Sequence, residues 1–178
     1  FAMLGRGPFG DAVHFPKRDG DDFRPLLIVP RARLHDSGID VKGEGQSVSM
    51  VAWIARQAGN HAIAGIWHEG TDLHAISSNV KKVEKGMRQY ALFMGLAANS
   101  GASAAHVSEN GGASFTDRYA RNLSTTPEII PTFANESQID EAWSVVAFSF
   151  DNRRNTVTSY LNGVATDYWI ENPASHPF

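Results

Sequence analysis

The sequence predicts an all-β fold, an antiparallel sandwich or barrel. Two observations indicate this fold: short apolar or alternating runs recur along the chain, and clusters of Gly, Asn, Asp and Ser separate them. Many short strands with turn signals between them are typical of these architectures. With 178 residues, the chain is long enough for one domain with a sizeable core.

The candidate strands follow one another from the N-terminal region to residue 161. Residues 47–55 (SVSMVAWIA) have the clearest period of two, which places Val48, Met50, Ala52 and Ile54 on one face and the odd-numbered residues on the other. The remaining candidates are residues 9–15, 23–30, 62–67, 90–96, 102–108, 113–120, 143–150 and 156–161.

Two segments depart from this pattern. Residues 73–90 carry apolar side chains near helical spacing, so one short helix over residues 73–85, ended by Gly86, is the alternative to a strand there. Ser77, Ser78 and Asn79 weaken that helix because their side chains compete for backbone hydrogen bonds. Residues 122–142 predict a long, partly proline-stiffened loop, and long loops in compact domains often carry function.

Composition and charge exclude several classes of function. The net charge of −3, the pI near 6.2 and the scattered basic residues argue against a nucleic-acid partner. The chain has no cysteine, which excludes disulfides and thiolate metal sites. No apolar run approaches the roughly 20 residues that a membrane-spanning helix needs, so no membrane span is expected. The start of the chain carries no recognisable signal peptide.

Residues 142–169 (AWSVVAFSFDNRRNTVTSYLNGVATDYW) predict a three-stranded meander. The polar residues DNRRN form a normal hairpin connection between the first two strands. Asn162-Gly163, between two apolar runs, is the strongest short-range signal for a type I′ turn.

The details of this meander resemble the pattern W-x-x-V-A-x-x-F/Y-D … V-x-x-Y-x-N/D-G of the concanavalin A-like lectin and glucanase superfamily, which includes laminin G-like modules and pentraxins. Residues 7–23 (GPFGDAVHFPKRDGDDF) are similar to the opening strand of those domains, residues 47–56 to their Trp-bearing strand, and residues 90–112 to a later strand pair. The resemblance implies a jelly-roll sandwich, in which Trp53 and Trp143 belong to the core.

One departure from the resemblance concerns the C-terminal end. Such domains normally continue after the Asn-Gly hairpin with a closing strand pair, whereas only fifteen of the 178 residues follow Gly163. An uncovered edge strand would be an aggregation hazard. Either the closing strand lies elsewhere in a longer protein, or a different segment of the chain fills its place. We favour the first, and expect residues 1–178 to be a single domain that is a fragment of a longer protein, with other domains of the same polypeptide as its partners.

The carboxylates that catalysis on this scaffold would need are not found in the expected pattern. Laminarinase-like glycosidases carry Glu-x-Asp-x-(x)-Glu on one strand, which directs the outer two carboxyls into the cleft. The nearest set, Glu136, Asp140 and Glu141, has the wrong spacing and falls in the predicted loop. Polysaccharide lyases on this scaffold need a Gln-x-His, which the sequence lacks. No catalytic residue is predicted.

Two stretches suggest a metal site. His61, His68 and His74 lie close in sequence, but a zinc-binding His-Glu-x-x-His would need histidine where Asp72 stands. Residues 18–23 (RDGDDF) offer three aspartates, and relatives often bind calcium at sheet edges. The resemblance already explains those aspartates as turn residues. No metal ligand is predicted, and calcium is the one cofactor left open.

Aromatic side chains near strand ends are the candidates for a sugar site, because rings stack on the apolar faces of sugars. The predicted ligand-binding residues are Trp67, His68, Tyr119 and Trp169. The sequence favours a non-catalytic module that binds carbohydrate or a protein partner within an extracellular or periplasmic protein. The alternatives are part of a polysaccharide-active hydrolase whose catalytic residues lie outside the chain, and a structural spacer domain.

Overall fold

The computed structural model describes residues 2–15, 26–41, 45–67, 88–96, 99–108, 123–154 and 156–166. These residues form two four-stranded antiparallel sheets and a separate two-stranded hairpin. The predicted all-β antiparallel sandwich is therefore confirmed. No helix among the described residues is both long enough and apolar enough to span a membrane.

The strands are numbered along the chain. They are β1 (Ala2–Gly7), β2 (Gly10–His14), β3 (Val48–Ala55), β4 (His61–Trp67), β5 (Arg88–Leu96), β6 (Asn99–Val107), β7 (Leu123–Ile129), β8 (Trp143–Asp151), β9 (Thr156–Leu161) and β10 (Val164–Thr166). The described helical turns are α1 (Arg31–Leu34) and a 3₁₀ helix (Glu136–Glu141).

The first sheet has the order β10-β9-β8-β3, so the predicted meander is confirmed as three neighbouring strands. Asn162 and Gly163 have φ of 50° and 82°, the left-handed values that a type I′ turn requires. The side-chain oxygen of Asn162 also accepts a hydrogen bond from the Val145 N–H at 2.8 Å. The ladder between β3 and β8 runs from the Val48–Phe150 pair to the Ala55–Trp143 pair without a register shift.

The second sheet has the order β4-β5-β6-β7 and is less regular, with register shifts in all three of its ladders. Its edge strand β7 lies where a loop was predicted, so that part of the loop prediction is wrong. The strand was missed because it is rich in Ser and Thr and contains Pro127, which an edge strand tolerates.

The core lies between the two sheets. Phe148, Leu92, Val146 and Val157 are among its fully buried side chains. The even-numbered residues of β3 pack against it, as the period of two predicts. Hydroxyl groups contribute as well: the Ser124 Oγ accepts a hydrogen bond from the Ser159 N–H at 3.1 Å, which joins β7 to β9.

Two further predictions about strands have different outcomes. The strand predicted for residues 23–30 is wrong for residues 26–30, which have no regular secondary structure and expose Leu26 through Val29. That segment is a continuous apolar run with no alternation to select a face. The alternative helix at residues 73–85 and the strand at residues 113–120 lie outside the described residues.

The core positions predicted for Trp53 and Trp143 are also wrong. Trp53 lies on the odd-numbered face of β3, away from the core, and is 44% exposed. Trp143 is half-buried at the start of β8, in the register of the outward-facing Val145. In both strands the period of two assigns the core to the even-numbered residues, and this local rule outweighs the expectation from the resemblance.

Candidate functional site

Each sheet has an outer face, directed away from the core, and the two outer faces differ in what covers them. On the outer face of the second sheet, Ala91 and Ala104 are 0% exposed and Phe93 is 7% exposed. These residues form an apolar cluster of their own, against which Trp67 packs. The part of this face that β5 and β6 form is therefore buried within the chain.

Trp67, the last residue of the edge strand β4, is half-buried and packs against that cluster. Its ring stacks on the His106 imidazole at 4.5 Å with an interplanar angle of 31°, and meets the Phe93 ring edge-on at 6.0 Å. The Arg88 guanidinium carbon lies 5.1 Å from the indole centroid, a cation–π distance. Three contacts within the chain thus occupy ring surface that a sugar would need for stacking.

The backbone brings Trp67 into this position through an unusually close approach of β4 to β5. A Cβ added at Gly65 would lie 2.6 Å from the Ala91 Cα, so only glycine allows the two strands this close. The ladder shifts register at two places in β4, the second between Ile66 and Trp67. Such bulges change the direction in which a side chain points.

The outer face of the first sheet is open by comparison. The ladder places Val51, Ala147 and Tyr160 in one row, and Trp53 beside Val145 in the next. Val51 is 55% exposed and Trp53 is 44% exposed. Val51 and Trp53 are thus large apolar side chains that stay partly exposed, whereas Ala147 in the row of Val51 is buried.

Two contacts hold aromatic rings on this open face. Phe9, at the tip of the hairpin between β1 and β2, is 81% exposed, and its ring centroid lies 5.0 Å from that of Trp53 with the planes at 88°. The Tyr160 hydroxyl lies 3.1 Å from the Ser149 Oγ, a hydrogen bond that orients the phenol. We call Phe9, Val51, Trp53 and Tyr160 the aromatic platform.

The platform is uncharged. The outward-facing residues of its neighbouring rows are Ser49, Ser149 and Thr158 on one side and Ala55 and Trp143 on the other. Hydroxyl groups therefore border the aromatic rings along one side of the face. The first carboxylate along β8 is Asp151, in the row beyond these hydroxyls.

The structure describes one of the four predicted ligand-binding residues. Trp67 lies on the buried outer face of the second sheet, whereas His68, Tyr119 and Trp169 lie outside the described residues. Their joint site stays a prediction. Trp53 was not among the predicted ligand-binding residues, although the alternation in β3 already placed it on the same face as Ser47 and Ser49.

The acidic residues considered for catalysis are not on a strand. Glu136, Asp140 and Glu141 lie in the 3₁₀ helix, and all three are exposed. The Gln138 Oε1 accepts hydrogen bonds from the backbone N–H groups of Ala134 and Asn135 at 3.1 and 3.2 Å, which fixes the start of this helix.

Metal ligands were considered at two stretches. Among the described residues, no group of three or more His, Cys, Asp or Glu side chains converges on a point. His61 is exposed, and its Nε2 lies 3.1 Å from the Ala58 carbonyl oxygen. The remaining histidines of that stretch and the aspartates at residues 19–22 lie outside the described residues.

Comparison with known proteins adds no assignment. No protein family model matches the chain, and no curated protein or solved structure does.

Proposed function

We propose that this protein is a non-catalytic binding module that holds carbohydrate on the aromatic platform of its first sheet. The observation that carries the proposal is the exposure of Trp53, 44% of whose surface is open although the Phe9 ring holds it in place. An exposed indole on the outer face of a sheet is the kind of surface on which the apolar face of a sugar ring stacks.

The polar neighbours of the platform support the same ligand class. The Tyr160 hydroxyl and the Ser149 Oγ form a pair at 3.1 Å, and Thr158 lies opposite Ser149. Hydroxyl groups both donate and accept hydrogen bonds, as the hydroxyls of a sugar require. Because no charged side chain lies in these rows, the platform favours neutral sugars over uronic or sulfated ones.

The size of the platform suits an oligosaccharide. Tyr160 lies two strands away from Val51 across the sheet, about 10 Å at ordinary strand spacing. Trp53 and Tyr160 can therefore contact different sugar units of one chain. We infer that the ligand is an oligosaccharide or polysaccharide rather than a monosaccharide.

The module is proposed as non-catalytic because the acids that glycoside hydrolysis needs are placed elsewhere. A retaining glycosidase holds two carboxyls about 5–5.5 Å apart across its cleft. Glu136 and Glu141 lie in the 3₁₀ helix and not on the sheet that carries the platform. We further propose, on the resemblance to concanavalin A-like domains, a role within a larger extracellular or periplasmic protein.

A glycan-array screen followed by calorimetric titration of the best glycan tests this function. We expect Trp53→Ala to weaken binding by about tenfold, on the order of the energy of one aromatic contact. Val164→Ala is the matched control, because Val164 is 69% exposed on the same sheet but outside the platform. Repeating the titration with a chelator tests whether calcium takes part.

Two results would contradict the proposal. Absence of binding to every glycan on the array would remove carbohydrate as the ligand class. Binding that Trp53→Ala leaves unchanged would place the site elsewhere, with the predicted site at Trp67 as the next one to test.

A further inference from the structure

The four edge strands of the two sheets differ in how they are protected. Strand β7 carries Pro127 and Glu128, and its ladder with β6 contains a register shift. Strand β4 has two register shifts in its ladder with β5, and the described part of β10 spans three residues. Proline, charge, bulges and shortness are the devices by which natural proteins prevent unwanted pairing at sheet edges.

The fourth edge strand, β3, has none of these devices. Its eight residues (Val48–Ala55) include no proline, glycine or charged side chain. Its ladder with β8 is unbroken over the full length of the strand. Within the described residues, β8 is the only strand that pairs with β3, and none of these residues pairs with its opposite edge.

This open edge has a defined end. Immediately after β3, the Arg56 carbonyl accepts a hydrogen bond from the Phe133 N–H at 3.0 Å, and Arg56 bridges to Thr132. The segment at residues 132–133 therefore occupies the position after Ala55. Pairing with another strand is limited to residues 48–55.

We propose that the open edge of β3 pairs with β3 of a second copy of this chain, antiparallel, about a two-fold axis at Ala52. Residues opposite each other in an antiparallel ladder share a face of the sheet, so a self-pair must join odd to odd and even to even. An axis at Ala52 places Val51 opposite Trp53 of the second copy on the outer face. On the core face it places Met50 opposite Ile54.

The chemistry of the strand favours a second copy as its partner. Pairs of an aromatic and a β-branched residue stabilise cross-strand contacts, and the two-fold axis forms the Val51–Trp53 pair twice. Ser49 then meets Ala55, and the ladder ends before Arg56. Each chain has a net charge of −3, but β3 itself carries no charged side chain. No like charges therefore face each other within the ladder.

The differences between the edge strands also predict that the assembly contains two copies. A two-fold pairing uses the same strand on both partners, and the described edges of β4 and β7 are protected by bulges, proline and charge. The result is one continuous eight-stranded sheet with the two aromatic platforms side by side. This inference goes beyond the proposed carbohydrate function, and it can be tested without any glycan.

The first test is the mass of the intact chain in solution, measured by sedimentation equilibrium over a range of concentrations. We expect reversible association to twice 19.4 kDa. A single species of 19.4 kDa at every concentration would overturn the proposal, and so would growth beyond the dimer.

A charge design identifies the strand. Ser49→Lys/Ala55→Lys places like charges opposite each other at both ends of the ladder, and we expect a monomer. Ser49→Glu/Ala55→Lys places opposite charges there, and we expect the dimer to return. Val164→Lys/Ala165→Lys, on the exposed β10, is the matched control and should stay dimeric. A dimer that persists in Ser49→Lys/Ala55→Lys would rule out the β3 edge.

Cysteine crosslinking identifies the register, and the absence of native cysteine makes it unambiguous. Under oxidation, an equimolar mixture of Val51→Cys and Trp53→Cys chains should form a disulfide between the two variants, because the two positions lie opposite each other. Each variant alone should crosslink poorly, since like positions lie a diagonal apart. Efficient crosslinking of Val51→Cys alone, or none in the mixture, would overturn the axis at Ala52.

Discussion

The outer faces of the two sheets both carry a tryptophan near the end of a strand, and the two tryptophans have different surroundings. Trp67 contacts an imidazole, a phenyl ring and a guanidinium from neighbouring strands. Trp53 contacts the Phe9 ring and keeps 44% of its surface exposed. The availability of an aromatic ring for a ligand therefore depends on what the neighbouring strands contribute, and the residue's own strand does not decide it.

The two outer faces also differ in the charge of their side chains. The buried outer face of the second sheet holds Arg88 and His106, each 3% exposed. The open outer face of the first sheet holds hydroxyl groups and rings. The buried face uses its polar groups inside the chain, whereas the open face presents them at the surface, where a ligand can reach them.

The largest expected effect distinguishes the two faces by stability. Phe93→Ala should lower the free energy of unfolding by about 3–5 kcal/mol, because it removes a buried ring from the apolar cluster under Trp67. Val51→Ala, at a 55% exposed position of the open face, should cost less than about 1 kcal/mol. Urea unfolding followed by circular dichroism measures both. Equal losses would contradict the difference between the faces.

The two tryptophans provide the next comparison. Trp67→Ala should cost about 2 kcal/mol or more, since it removes contacts with His106 and Phe93. Trp53→Ala should cost about 1 kcal/mol or less while reducing glycan affinity. The same unfolding experiment, paired with calorimetry, gives both values. A more severe loss of stability in Trp53→Ala would show that Trp53 is structural.

Alkaline pH tests how firmly the core-facing side of the second sheet is packed. Burial first, and the charge of Asp40 second, raise the pKa of the Tyr90 phenol, whose O–H donates a hydrogen bond to the Ile39 carbonyl at 2.7 Å. Because the pKa of Tyr90 is higher in the folded than in the unfolded protein, its neutral phenol contributes to the free energy of unfolding. This contribution is complete below the ordinary tyrosine value of about 10. It is lost as the pH rises through the higher pKa of the folded protein.

We therefore expect stability to decline above about pH 10, and Tyr90→Phe to decline less steeply over the same range. Denaturant unfolding at a series of alkaline pH values measures both slopes. Identical slopes for the wild type and Tyr90→Phe would contradict the packing described for this side chain.

The smallest effect is expected at the edge of the platform. Tyr160→Phe removes the hydrogen bond to the Ser149 Oγ and should cost about 0.5–1 kcal/mol of stability. It should also weaken glycan binding by a few fold, less than Trp53→Ala does, because the ring remains. Thermal unfolding and titration of the same preparation check the two values. An affinity loss larger than that of Trp53→Ala would move the centre of the site towards β9.

The sequence predicted those parts of the fold that depend on local pattern. The period of two in β3 predicted which of its residues face the core, and the Asn162-Gly163 turn predicted the meander of the first sheet. Strand β7 could not be predicted this way, because its Ser124, Thr125 and Thr126 are buried by packing against other strands. Their hydroxyl groups find partners such as the Ser159 N–H, 35 residues away in sequence.

The candidate site was predicted less well, for a related reason. Trp67 and Trp53 both looked like aromatic residues near strand ends, and nothing local indicates that β5 and β6 bring Phe93 and His106 to one of them. The alternation in β3 was the one local signal, and it correctly placed Trp53 on the outward face. The resemblance to concanavalin A-like domains pointed to the core, and the structure contradicts it at this position.

Calorimetric titration of one glycan against the wild type, Trp53→Ala and Trp67→Ala compares the two outer faces directly. We expect Trp53→Ala to lose about tenfold in affinity, whereas Trp67→Ala keeps the affinity of the wild type under conditions where it remains folded. The reverse result, with affinity lost in Trp67→Ala and kept in Trp53→Ala, would contradict this expectation and place the ligand on the second sheet.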